Sequence, residues 1–421
     1  MASNSTNCSR SLSLLSDSTL DDSGKISRKW RESLPSPVIP KADLSIWTIL
    51  RQFVGKDLTR ITIPVIFNEP LSFLQRLAEY MEYFELLEKA ENCDDEVERF
   101  ELVIAFIISS LSSNYLRFAK PFNPLLFETF ELDRSNEEGY RFVAEQVSHH
   151  PPISAFHAQF RFGEFFGTVS PRVKFWGISI EILPCAKRKE IYTWDAVNIS
   201  VHNIIMGEMY MKLNGQINVR CGLDKECKII LKNNYRERGI QNGFFEGSLC
   251  ISGKIVRSLY GNWINFFATC HPKDFDKIYQ SWLNVYRSCI NTSDEEKLPL
   301  IKNSKLLWRC APRPLNSANM YNFTSFSLLL NDPDYINDFL PRTDSRLRPD
   351  IRRLEQGEMD EAANQKGILE VKQREARVFS QKNGIIKQPR WFNESKAANG
   401  PSWIFNGKYW DRSFEDCEDI Y

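Results

Sequence analysis

The sequence predicts an α+β protein in which a long, mostly antiparallel sheet is flanked by helices. Three observations lead there. Residues 130–270 break into short alternating runs of β-branched and aromatic residues, parted by turn signals such as Leu213-Asn214-Gly215 and Gln241-Asn242-Gly243, with no helical stretch between them. The segments on either side carry apolar residues at helical spacing instead. The chain of 421 residues has 42% hydrophobic residues and ten tryptophans, enough for a sizeable core in one large domain or two ordinary ones.

In chain order, residues 1–40 are rich in Ser, Asp, Asn and Pro and read as a disordered tail ahead of an ordered body, 41–421. Residues 1–20 lack an apolar h-region, so no secretory signal is expected. A first helix is predicted between Ser45, a cap, and Gly55, a terminator. It is apolar nearly all round, with Trp47, Leu50 and Val54 on one stripe and Ile46, Ile49 and Phe53 beside it, so it needs cover on most sides. It is an ordinary packed helix or a lid over a greasy opening. Residues 61–67 read as extended, and Asn68-Glu69-Pro70 as a turn into a helix from Leu71 to Leu86. A second helix is predicted from Glu96 to Ala119. Lys120-Pro121-Phe122-Asn123-Pro124 must be irregular, since prolines three apart suit neither a helix interior nor a central strand.

The sheet follows, with runs Phe156 to Phe162, Phe165 to Val169, Val173 to Ile182, Ile204 to Leu213, Ile217 to Cys221, Lys228 to Leu231 and Gly247 to Ile255. A large sheet with two apolar faces must pack as a sandwich or curl into a barrel. After 270 a helix is predicted from Phe275 to Cys289, buried along Phe275, Ile278, Trp282 and Val285. Residues 304–308 and 321–330 read as strands, 340–351 as a loop, and Met359 to Phe379 as an exposed charged helix. Trp391, Trp403, Tyr409 and Trp410 should pin the remainder to the body.

Lys+Arg and Asp+Glu are equal at 54 each, so no global field favours nucleic acid or an anionic membrane, and contact with acidic groups must come from a local patch. The ten cysteines form no Cys-x-x-Cys pair, and Cys221 with Cys227 has no second pair to complete a zinc site. Free thiols in a reducing cytosol are expected, with no cofactor and no metal. The longest apolar run, Leu102 to Leu111, is too short to span a bilayer.

The most distinctive stretch is Glu145-Gln146-Val147-Ser148-His149-His150-Pro151-Pro152. Two prolines close a strand and stiffen its end, presenting two imidazoles that can donate hydrogen bonds to an anion. Neighbouring side chains on a strand point to opposite sides, which suits joint metal ligation poorly. His157, His202 and His271 stand at no metal spacing, and no serine elbow or nucleophilic cysteine pattern accompanies them, so an enzyme is not expected. Lys366, Glu370 and Arg374 recur every four residues and fall within about 80° on one helical face. Their plain reading is intrahelical ion pairing.

The Glu145–Pro152 string resembles the fingerprint of the oxysterol-binding protein-related lipid-transfer proteins, over roughly residues 40–421. The resemblance implies an incomplete antiparallel β-barrel (120–270) enclosing a hydrophobic tunnel. A lid and first strand (41–67), helices (68–119) and a C-terminal subdomain (271–421) would complete it. It makes Trp47, Ile49, Leu50 and Phe53 lid residues. It assigns Lys120, Asn123, His149, His150, Lys366, Glu370 and Arg374 to a phosphoinositide head group, such as that of phosphatidylinositol 4-phosphate, and places Phe122 beside an acyl chain at the tunnel mouth. The implied protein is a cytosolic, peripherally membrane-associated carrier. It would exchange a sterol (cholesterol or an oxysterol) for the phosphoinositide at membrane contact sites, in the short form without pleckstrin-homology or ankyrin regions. A non-transferring sensor or scaffold would use the same pocket. The sequence departs from the family pattern at Phe127, where glycine is usual, at Asn262 in place of a lysine, and at Gly367, which weakens a helix interior by about 1 kcal/mol. The acidic phenylalanine-pair motif for endoplasmic-reticulum docking is absent from the tail, so that partner is not implied.

Overall fold

Twelve strands follow one another across one sheet in chain order, each antiparallel to the last. They are β1 (Thr129–Arg134), β2 (Tyr140–His149), β3 (Pro152–Phe160), β4 (Gly163–Val169), β5 (Trp176–Ile182), β6 (Glu190–Trp194), β7 (Gln216–Cys221), β8 (Lys225–Leu231), β9 (Phe244–Ile251), β10 (Lys254–Asn262), β11 (Phe266–Cys270) and β12 (Lys305–Arg309). The computed structural model describes residues 18–20, 26–28, 31–38, 64–170, 176–182, 190–194, 197–202, 210–231, 243–289, 300–397 and 400–421. The predicted lid residues Trp47, Ile49, Leu50 and Phe53 lie outside these. A hairpin, Asn198–His202 with Tyr210–Asn214, lies in the chain between β6 and β7 but outside the sheet.

The period-two pattern sorts side chains to two faces. Along β2, Tyr140, Phe142 and Ala144 join the main core with Phe156 and Phe165, while Val143 and Val147 face the other way. The main-core face is backed by α1 (Phe73–Ala78), α2 (Glu85–Glu91) and α3 (Glu96–Ser109). Helix α1 touches β1 and β2, whereas α3 touches β11 and β12, so one helical layer bridges both edges of the sheet. The sheet is thus an incomplete antiparallel barrel, open between β1 and β12 and braced across the gap by helices.

Two smaller layers cover the outer face. Helix α4 (Pro272–Cys289) lays Phe275, Tyr279 and Trp282 on Phe244, Tyr260 and Phe266. The C-terminal segment packs Trp391, Phe392 and Tyr409 on Val143, Val147 and Ala155, with Trp403 and Trp410 at the margin. A buried ionic cluster fixes α1: Arg117 Nη2 lies 2.8 Å from Glu69 Oε1, its Nη1 is 2.5 Å from Glu79 Oε1, and Ser327 Oγ donates to the same Glu79 oxygen at 2.8 Å. Among the described residues no helix is long and apolar enough to cross a membrane. Cys93, Cys221, Cys227, Cys250, Cys270, Cys310 and Cys417 are free thiols.

Several expectations are corrected. Residues 31–38, placed in a disordered tail, pack on the body: Leu34 is buried in the main core, and Arg31 pairs with Glu355 at 2.7 Å. Asn68–Ser72 is a short strand rather than a turn, and it pairs in parallel with Lys120–Phe122. The helix expected from Leu71 to Leu86 breaks after Ala78 into a 3-10 turn, where Glu79 turns inward to Arg117. The run Gly247 to Ile255 spans a turn, because Ser252 and Gly253 adopt positive φ of 49° and 75°. The strand expected at 321–330 is α5 (Ser325–Leu329), since Thr324 caps Ser327 N at 3.1 Å while Phe326, Leu328 and Leu329 are buried. In α4 the buried position is Tyr279, and Ile278 is exposed. The loop at 340–351 ends in α6 (Pro349–Glu355), where Pro349 occupies the first turn.

Candidate functional site

The rim beside β1 is built on the parallel pair formed by Asn68–Ser72 and Lys120–Phe122. Asn68 Nδ2 donates to the carbonyls of Lys120 (3.0 Å) and Pro121 (3.3 Å), which holds the proline loop beside the chain entering α1. Ser72 accepts from Leu74 N as the helix cap and donates to Glu128. Glu128 is fully buried and gathers the loop: it accepts from Leu125 N at 2.9 Å, Ser345 Oγ at 2.7 Å and Arg348 Nη1 at 2.7 Å. Arg348 also donates to the Asn123 carbonyl at 3.0 Å and grips Asp350 through two bonds of 3.1 and 2.7 Å. Burial opposes its charge, yet Asp350 and Glu128 hold its proton more firmly than usual.

Helix α7 (Met359–Lys382) crosses this loop, three residues longer than the Met359–Phe379 expected. Ala362 and Leu369 face the body, and the helix runs unbroken through Gly367, where an added Cβ would meet nothing within 4 Å. On the side next to the buried positions, Lys366 Nζ lies 3.5 Å from Asn68 Oδ1 and 5.7 Å from the centre of the Phe122 ring. Burial lowers the Lys366 pKa, and Glu370 one turn on favours its charge. Two turns along, Gln373 Oε1 accepts from Leu126 N at 2.7 Å, and its Nε2 lies 2.9 Å from His149 Nε2.

The structure therefore joins the proline loop, the end of β2 and α7. Lys120, Phe122, Lys366 and His149 share this rim through Asn68 and Gln373. Seven residues of helix put Lys366 and Gln373 about 10 Å apart along α7. Phe122 is only 1% exposed and packs with Val65, Ile351 and Leu354, so its ring is a floor beneath Lys366 and Arg348 rather than a wall of an open mouth. Asn123 and Arg374 have exposed side chains, Glu370 is half-buried, and His150 is exposed with its ring 4.6 Å from that of His149.

Half of the fingerprint is structural. Glu145 is buried and takes the amides of Arg390 and Trp391, each at 3.0 Å, pinning the C-terminal segment; burial pushes its pKa up to about 7. Gln146 accepts from Ser154 Oγ at 2.5 Å and donates to Ser148 O at 2.8 Å, which shapes the turn carrying both imidazoles. His150-Pro151 is cis. Phe127, standing where glycine was expected, has φ +67°, the left-handed region that a glycine would adopt without strain. Asn262 is buried, and its Oδ1 accepts from Ile264 N at 2.9 Å, so this site carries no exposed cation. His157 Nε2 lies 2.8 Å from Glu164 Oε2 and stacks on Phe405, a structural pairing between β3 and β4.

Glu128, Arg348 and Gln373 went without roles in the sequence reading. Glu128 had a local signal, since it stands just beyond the Lys120–Pro124 proline stretch, and Arg348 lies in the expected 340–351 loop. Gln373 had none beyond its place on the buried side of α7.

The fold and site together are those of an open antiparallel barrel braced by helices, with a histidine-bearing strand end and a charged helix meeting at its rim. The comparisons make the family definite. The oxysterol-binding protein family profile matches residues 45–414, and the chain belongs to that family. Oxysterol-binding protein-related protein 1 of Rattus norvegicus is 42% identical over 94% of this chain, which spans only 44% of that protein. Oxysterol-binding protein-related protein 2 of Homo sapiens is 40% identical over 94% of this chain and 88% of its own length. The crystal structure of the Osh1 ORD domain in complex with cholesterol superposes with a TM-score of 0.77 at 32% identity, covering 94% of this chain and 95% of that one. The Osh3 ORD from Saccharomyces cerevisiae in complex with PI(4)P gives a TM-score of 0.73 at 30% identity, covering 93% and 99%.

Proposed function

We propose that this protein holds a sterol or a phosphoinositide in one apolar chamber and exchanges them between membranes. The observation that carries this reading is the meeting of α7, the Lys120–Glu128 loop and the β2 end on the rim of an apolar half-barrel. Two solved relatives with this fold bind the two lipid types, one cholesterol and the other PI(4)P.

The division of labour follows from solvation. A phosphoinositide head cannot leave water without charged partners, and Lys120, His149, His150, Lys366 and Arg374 would supply donors. Glu370 would orient Lys366 or accept from a ring hydroxyl. A sterol needs only apolar contact: hiding roughly 400 Å² of its surface gives a transfer gain of about 10 kcal/mol before the costs of binding. One chamber makes occupancy exclusive, so a gradient of one lipid drives the other. The protein would act in the cytoplasm, touching membranes transiently through the mouth, with no chemistry performed on either lipid.

Donor liposomes carrying labelled sterol and acceptor liposomes carrying phosphatidylinositol 4-phosphate test this. The expected result is sterol movement accelerated by the opposing lipid. Tight binding with no movement of either lipid would instead establish a sensor, and chemical turnover would overturn both readings.

A further inference from the structure

The two hydrogen bonds of Gln373 determine where a neighbouring ring keeps its proton. Leu126 N can only donate, so the atom of Gln373 that faces it at 2.7 Å must be the amide oxygen. The NH2 group then points the other way, at His149 Nε2, 2.9 Å off. That group can only donate, so Nε2 must accept, and the proton of the neutral imidazole sits on Nδ1. A second proton on Nε2 would set N–H against N–H and cost the bond. Gln373 is held in this sense by the loop itself, because Leu125 N and Arg348 anchor the same turn through Glu128.

We propose that Gln373 is a positioning residue that fixes His149 as a neutral, Nδ1-protonated imidazole and ties it to the proline loop. Nδ1 is itself buried, so the proton it keeps is withheld from water, and His150, exposed beside it, is the imidazole open to water. The twin histidines are chemically unequal, and a helix residue makes them so. This rests on the phosphoinositide reading of the site, and the test separates the two.

The proton is read directly in the full chain. The protein has five histidines, so long-range 15N–1H correlations from histidine-labelled, lipid-free protein are tractable, with His149 identified by the signals lost in His149→Ala. The expected pattern is a bare Nε2 and a protonated Nδ1. Gln373→Glu keeps an acceptor for Leu126 but cannot donate, and should move the His149 proton onto Nε2. A wild-type His149 protonated on Nε2, or a pattern unchanged in Gln373→Glu, overturns the proposal even if the lipid loads normally. In the second arm, Gln373→Met should load phosphatidylinositol 4-phosphate from liposomes about tenfold more weakly while sterol loading stays within about twofold. Equal loss of both lipids would make Gln373 merely structural and overturn the positioning role. Wild-type protein that shows the expected protonation yet loads no phosphoinositide would overturn the head-group reading while the proton assignment stands.

Discussion

Lys366 separates a binding residue from a structural one most sharply, because its two effects should have opposite signs. Its ammonium is partly withdrawn from water, with Asn68 Oδ1 at 3.5 Å and the Phe122 ring at 5.7 Å, and burial lowers its pKa. A base whose pKa falls on folding holds its proton less well in the folded state, so its charge opposes stability at neutral pH. Replacing it with methionine of similar length removes that cost and a cation–π contact of about 0.5–1 kcal/mol. The folded protein should therefore be unchanged or slightly more stable in urea titration at pH 7. Head-group loading should suffer. A charge-assisted hydrogen bond contributes about 1.5–3 kcal/mol, so Lys366→Met should weaken phosphatidylinositol 4-phosphate loading roughly 10- to 150-fold, with sterol loading unaffected. Loading would be followed by depletion of labelled lipid from liposomes. A variant destabilised by more than about 1 kcal/mol with loading intact would refute the reasoning, since Lys366 would then be a structural cation.

Two further predictions concern the frame of the site. Glu145 has a folded pKa of about 7 against an ordinary 4.5, so the folded state holds a proton that the unfolded state has lost, and stability falls as pH rises through that window. Glu145→Gln stays neutral throughout, so its urea stability relative to wild type should improve from pH 4.5 to 7.5, by at most on the order of 3 kcal/mol; a difference that does not vary with pH would contradict this. At Phe127, φ +67° should invert the usual ranking of small residues: Phe127→Gly should be about 1 kcal/mol more stable than Phe127→Ala, as read by thermal unfolding, and the opposite order would show that the turn has relaxed.

The meander was legible because alternation and turn residues are local signals. Each strand of the run from β2 to β11 pairs with a neighbour close in sequence, the hairpin insert apart. Helix ends and breaks were less legible, because tertiary partners decide them: Glu79 leaves its helix for Arg117, which lies 38 residues on. The sequence singled out the segments that meet at the site through unusual residue types, His149-His150 at the strand end and Lys366 on the helix. The supports of the site were not legible, since the partners that tie Gln373 and Arg348 to it, His149 and Glu128, lie more than 200 residues away. Phe122 shows the same limit, because an apolar residue in a loop motif does not reveal whether it faces ligand or core.

The most direct test of one chamber serving two lipids is competitive loading of purified protein, wild type beside the His149→Ala, His150→Ala double variant. Wild type should take up one lipid per molecule, with sterol and phosphatidylinositol 4-phosphate displacing each other, while the double variant keeps sterol and loses the phosphoinositide. Simultaneous occupancy by both, or equal loss of both in the variant, would contradict a shared chamber with a rim dedicated to the head group.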